Sequence, residues 1–126
     1  MVGLAVVSHS ERAAEGIVEV AAEMAGDTRI EPVGGDGQGG IGTVPDAIGD
    51  AIDAADDGEG VVVLVDLGSA VMNADVAVEL SDAEAVIADA PVLEGAVNAA
   101  VAATDPSATL DSVREQAEAA RGMEKL

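Results

Sequence analysis

The stretch VGLAVVSHSERAAEG, residues 2–16, sets the fold. Its first half, VGLAVVS (2–8), is a short, continuous apolar run without polar alternation. That is the pattern of a parallel strand covered on both faces. The second half changes period. Through residues 10–25, Ala14, Ile17, Val18, Ala21 and Met24 fall on one helical stripe. A buried strand running straight into a helix opens a βαβ unit. At the joint stands His9, the only histidine in a chain with no cysteine, no aromatic residue and a single lysine. A lone histidine is often an ordinary surface or core residue, but here almost every competing side-chain chemistry is missing.

The same alternation continues outward. Arg29–Val33 reads as a weaker strand leading into the glycine loop GGDGQGGIG (34–42). Thr43 then caps a helix with Pro45 near its start and Val44, Ile48, Ala51 and Ile52 facing inward. GVVVLVD (60–66) is the strongest strand, and LGSAVMNADVAVEL (67–80) is the third helix, with Ser69 as its cap. AEAVIA (83–88) reads as a short fourth strand. APVLEGAVNAAVAAT and SATLDSVREQAEAAR give two final helices, parted by Asp105 and Pro106. The expected fold is α/β: an open, mainly parallel four-stranded sheet of order 2-1-3-4 with right-handed crossovers and helices on both faces. Residues 1–126 read as a single domain, large enough to bury a core.

Composition narrows the function. With 25 acidic against 5 basic residues, the formal charge is −20, which repels phosphate backbones and argues against nucleic-acid binding. The 49% apolar content separates this acidity from that of a disordered chain. Glu11, Glu15, Glu19 and Glu23 recur every four positions, placing like charges in a row along one helix. Concentrated salt would screen that row, so the expectation is a protein adapted to a halophile. No run is long enough to span a membrane and no signal peptide is visible, so the expected location is cytoplasmic. Without cysteine there are no disulfides or thiolate sites, and one histidine makes a transition-metal centre improbable.

In open α/β sheets, sites form beyond the carboxyl ends of strands where the strand order reverses. For order 2-1-3-4 that point lies between strand one, ending at His9, and strand three, ending at Asp66. An aspartate beside an imidazole fixes its tautomer and leaves the other ring nitrogen free as base or nucleophile. Alternatively, Asp66 caps the next helix or faces solvent. Ser8-x-x-Glu11 fits a capping box, which would place His9 in the first turn of a helix. Helix openings at Ser10, at Gly42 and Thr43, and at Gly68 and Ser69 could hold an anion through backbone N–H groups. Arg12 is the only nearby cation, either supporting a phosphoryl group or pairing with a surface glutamate. Gly37, Gly39 and Gly42 match G-x-G-x-x-G, but after the second strand and within a sheet of mononucleotide size, which disfavours dinucleotide binding. A Walker ATPase is excluded because the sole lysine is Lys125. A receiver-type phosphoaspartate at Asp66 lacks its acidic pair and late lysine.

VSHS with Arg12 and Gly16 after it, IGT at 41–43, DLGSA at 66–70 running into AVEL, and APVLEG at 90–95 resemble the DhaM family. These are phosphocarrier subunits of phosphoenolpyruvate-dependent dihydroxyacetone kinases, with the fold of mannose-type EIIA proteins. The motifs occur in order and span essentially the whole chain. The resemblance implies a phosphotransferase in which His9 takes a phosphoryl group on Nε2 from phospho-HPr, with Asp66 hydrogen-bonded to the imidazole. The phosphoryl would pass to ADP on DhaL, which serves dihydroxyacetone bound to DhaK. It also implies a homodimer and no cofactor beyond the transient phosphoryl group. The alternatives are an EIIA component of a mannose-type sugar transporter and a non-catalytic ligand-binding or regulatory module using the glycine loop. The loop is richer in glycine than the family's usual segment. Docking on so acidic a surface is expected to rely on small apolar contacts around the site.

Overall fold

The computed structural model describes residues 1–126. In chain order it runs β1 (Gly3–Ser8), α1 (Glu11–Ala22), β2 (Ile30–Gly34), α2 (Pro45–Ala55), β3 (Val61–Val65), a 3-10 turn (Gly68–Ala70), α3 (Val71–Leu80), β4 (Ala85–Ile87), α4 (Val92–Ala103) and α5 (Leu110–Glu118), with a closing 3-10 turn at Ala119–Gly122. The four strands form one sheet of order β2-β1-β3-β4, and every neighbouring pair is parallel. The α/β fold class, the strand order and the helices on both faces match the sequence expectation.

Strand alternation divides the core in two. Leu4 and Val6 of β1, with Val62 and Leu64 of β3, face α1, α4 and α5, where Ala21, Ala96, Ala99, Ala100, Val113 and Ala117 are buried. Ala5, Val7, Val61 and Val63 face the opposite side, against Ile48 and Ile52 of α2 and Ala74 and Ala77 of α3. Because both faces are covered, the central strands β1 and β3 carry no polar alternation. The helices meet the sheet largely through alanine, so their backbones pack close to it and aromatic bulk is not needed.

Several local expectations shift. β2 lies one residue later than expected, and the helix read from Leu67 begins as a 3-10 turn before α3. Met24 falls past the end of α1 and is 54% exposed, and Ala25 takes the buried place instead. The caps also move. Ser10, not Ser8, caps α1, its hydroxyl accepting the Ala13 N–H, so His9 sits just ahead of the helix rather than in its first turn. Val44 occupies the cap of α2 without a side-chain bond, and Ala70 occupies that of α3, so neither Thr43 nor Ser69 is a cap. Their hydroxyls bond other side chains across the site. No helix is long and apolar enough to cross a membrane.

Candidate active site

Parallel pairing of β1 with β3 carries both strand ends to the same edge of the sheet, and the Asp66 N–H continues that ladder to the Val7 carbonyl at 3.0 Å. The turn after β1 then lies across the turn after β3. His9 Nδ1 is 2.9 Å from Asp66 Oδ1. Asp66 Oδ2 accepts two further bonds, from the His9 backbone N–H at 3.0 Å and from the Ser8 hydroxyl at 2.9 Å. Ser8 Oγ in turn accepts the Ser10 N–H at 3.1 Å. One carboxylate thus holds the imidazole, the peptide carrying it and the serine before it.

The electrostatics follow from these bonds. Partial burial pushes the Asp66 carboxyl up. The His9 N–H, the imidazole and the Ser8 hydroxyl outweigh that and hold it below the ordinary carboxylate value. A carboxylate accepts only, so Nδ1 carries the proton and Nε2 keeps its lone pair. Ser69 Oγ lies 3.0 Å from Nε2, where its hydroxyl donates to that lone pair. Since the imidazole is about one-fifth exposed, Nε2 is reachable once the Ser69 hydroxyl turns aside.

The remaining sequence candidates divide. The Ser10 N–H is taken by Ser8, and its hydroxyl is the acceptor for Ala13. The Gly42 N–H donates to the His9 carbonyl at 2.9 Å, so it braces His9 instead of facing an anion. Thr43 is tied to Asn73, whose Nδ2 donates to Thr43 Oγ1 at 2.8 Å. Gly68 and Ser69 open a 3-10 turn beside the imidazole, and the first N–H groups of a helical turn have no partner within it. Arg12 is the only basic side chain without an ion pair. Arg29, Arg114, Arg121 and Lys125 each meet a carboxylate at 3.4–3.5 Å. Arg12 instead lines an open recess of about 520 Å³ with Ser10, Glu11, Gly39, Gly40 and Ile41.

The sequence reads Ser8 only as a helix cap, not as a partner of Asp66, and gives Asn73 no role. Ser8 closes an apolar run and is 1% exposed. A buried hydroxyl needs a partner, and that requirement at a strand end was the signal available. Asn73, inside a helix, offered none.

A sheet with its switch point at a histidine–aspartate pair defines a class of α/β proteins, and the family comparison agrees with it. The EIIA-man model, described as PTS system fructose IIA component, matches residues 3–114, and the chain belongs to that family. Its similar curated relatives are DhaM subunits. The phosphoryl donor subunit DhaM of PEP-dependent dihydroxyacetone kinase 2 from Listeria innocua is 42% identical over 106 residues, covering 80% of this chain and 85% of that one. The phosphotransferase subunit DhaM of the PTS-dependent dihydroxyacetone kinase from Lactococcus lactis is 35% identical over 116 residues, covering 92% and 93%. A crystal structure of a protein of unknown function superposes with a TM-score of 0.84 at 30% identity, covering 99% of this chain and 98% of that one.

Proposed function

We propose that the chain is the phosphohistidine carrier of a phosphoenolpyruvate-dependent dihydroxyacetone kinase. The observation that carries this reading is the His9 Nδ1–Asp66 Oδ1 bond of 2.9 Å, which leaves Nε2 as the nucleophile. The Nε2 lone pair attacks phosphorus on phospho-HPr. The N–P bond to His9 forms as the donor's bond to phosphorus breaks, and the Nδ1 proton stays against Asp66. Attack makes the ring cationic, and the Asp66 carboxylate stabilises that charge. In the second transfer, a terminal oxygen of ADP on DhaL takes the phosphoryl group and His9 leaves as neutral imidazole. DhaL then serves dihydroxyacetone held on DhaK.

Ser69 and the N–H groups of Gly68 and Ser69 are the groups placed to receive phosphoryl oxygens, and Arg12 adds the one uncommitted positive charge. The macromolecular partners meet an apolar rim: Ile41 and Leu67, adjoining Gly42 and Asp66 in sequence, are 73% and 56% exposed. A homodimer has a surface to form on as well. Met72, Val76 and Leu80 make an exposed apolar stripe at spacing i, i+4, i+8 on α3.

The test is phosphorylation by phosphoenolpyruvate, enzyme I and HPr in molar salt, read by intact mass. Wild-type protein should gain one acid-labile phosphoryl group and His9→Ala none. Wild-type protein that stays unmodified while HPr is phosphorylated overturns the reading. The family description as a fructose IIA component supports a second reading, an EIIA subunit of a sugar transporter. Discharge of the phosphorylated protein by DhaL–ADP separates the two: release on mixing supports the kinase, and indifference to DhaL–ADP supports transport.

A further inference from the structure

The glycine loop raises a physical problem. From Asp36 to Ile41 no side chain is buried, and glycine loses more backbone freedom on ordering than any other residue. Yet this loop delivers Gly42, whose N–H holds the His9 carbonyl at 2.9 Å. What orders it is Asp36. Its Oδ1 accepts the N–H groups of Gln38 at 2.8 Å and Gly40 at 2.9 Å, and its own N–H donates to the Gly40 carbonyl at 3.1 Å. The Gln38 and Gly40 N–H groups also hold the Asp36 carboxyl below its ordinary value. The fit around it is close: a Cβ on Gly40 would stand 2.6 Å from Asp36 Oδ2. Two residues beyond this closed turn comes Gly42, and next to it Thr43, fastened to Asn73 of α3.

We propose that Asp36 is a positioning residue for phosphoryl transfer, acting through the glycine loop on the backbone of His9. The inference rests on the phosphocarrier reading. The His9 backbone is held on both sides of its Cα, its N–H by Asp66 Oδ2 and its carbonyl by Gly42. Release of the Gly42 bond leaves the His9–Ser10 peptide held only through its N–H, on Ser8 Oγ. That lets the His9 backbone turn and carries Nε2 off the line of attack, and displacements of about 1 Å can cost roughly a hundredfold in rate. Asp36 touches no reacting atom.

The experiment compares Asp36→Ala and Asp36→Asn with wild type in two readouts: single-turnover phosphorylation of His9 by phospho-HPr, and hydrogen exchange of the Gly42 amide. Asp36→Ala should slow transfer roughly tenfold or more at saturating HPr and speed Gly42 exchange, with the exchange of β1 and β3 amides unchanged. Asp36→Asn, which keeps an oxygen acceptor for both N–H groups, should restore both readouts. Wild-type rate and protection in Asp36→Ala overturns the proposal, as does an Asp36→Asn protein as slow as the alanine variant. If wild-type protein accepts no phosphoryl group, the phosphocarrier reading fails by itself, and Gly42 exchange still decides whether Asp36 orders the loop.

Discussion

At His9, Asp66 performs two tasks that one substitution can separate. As an acceptor it fixes the tautomer, and as a charge it stabilises the imidazolium formed during attack. In Asp66→Asn, Oδ1 can still accept the Nδ1 proton, but the charge is gone, and the new NH₂ meets the two donors that Oδ2 now receives. A hydrogen bond to a charged group is worth about 1.5–3 kcal/mol, so phosphoryl transfer should fall roughly ten- to hundredfold. Stopped-flow or quench measurement of His9 phosphorylation checks this, and a wild-type rate removes Asp66 from the mechanism. Acid tests the same carboxylate through stability. Its folded pKa lies below the unfolded value, so its contribution is complete above about pH 4 and is lost as pH falls through the lowered value. Below about pH 4, wild type should therefore lose more stability than Asp66→Asn does, as read by urea melts at fixed salt. Parallel pH profiles for the two proteins contradict the depressed pKa.

Among the elements, the strands were the easiest to read and the helix starts the hardest. The runs 2–8 and 60–66 announce buried strands because parallel β1 and β3 are covered on both faces and stay apolar until their carboxyl ends, where Ser8 and Asp66 stand. Cap placement depends on where the chain turns. Ser8 and Ser10 both precede α1, and the sheet decides between them by drawing the Ser8 hydroxyl to Asp66, leaving Ser10 to cap. Similarly, Thr43 and Ser69 have cap-forming side chains, but Asn73 and His9 engage them first. The last helix carries a box not read from the sequence. Thr109 accepts the Ser112 N–H at 3.1 Å, and the Ser112 hydroxyl accepts the Thr109 N–H at 2.9 Å. This box opens α5, whose Val113 and Ala117 reach the core. Thr109→Ala should cost about 1 kcal/mol in denaturant unfolding and leave phosphoryl transfer at the wild-type rate. An unchanged midpoint would show that α5 does not depend on its cap.

For the whole molecule, charge is distributed by position. The N-terminal amine and Arg29 meet Asp57 and Glu59 at the end of the sheet away from His9. Arg12 is left free at the site end. The glutamates at 11, 15, 19 and 23 are all exposed on α1 or at its end, so their mutual repulsion has no structural relief except screening. Like pairs at i,i+4 cost a few tenths of a kcal/mol each, about 1 kcal/mol for this row, and about 1 M salt screens them almost completely. Thermal stability should thus rise between 0.1 and 1 M KCl, by more than in a variant with Glu15 and Glu19 changed to glutamine. Equal salt responses in the two proteins would locate the salt effect elsewhere.

The sequence by itself determined the α/β class, the buried central strands and the address of His9, because burial on both faces of a parallel sheet leaves an unmistakable apolar run and strand ends define where a site can form. The order of the strands was an expectation that the pairing bore out. Only the tertiary structure decided which hydroxyl caps, which bonds the carboxylate and which rests on Nε2, and that the glycine loop braces His9. Those are choices among chemically equivalent donors. They are settled by distances of about 3 Å between residues nearly sixty positions apart, which no local pattern encodes.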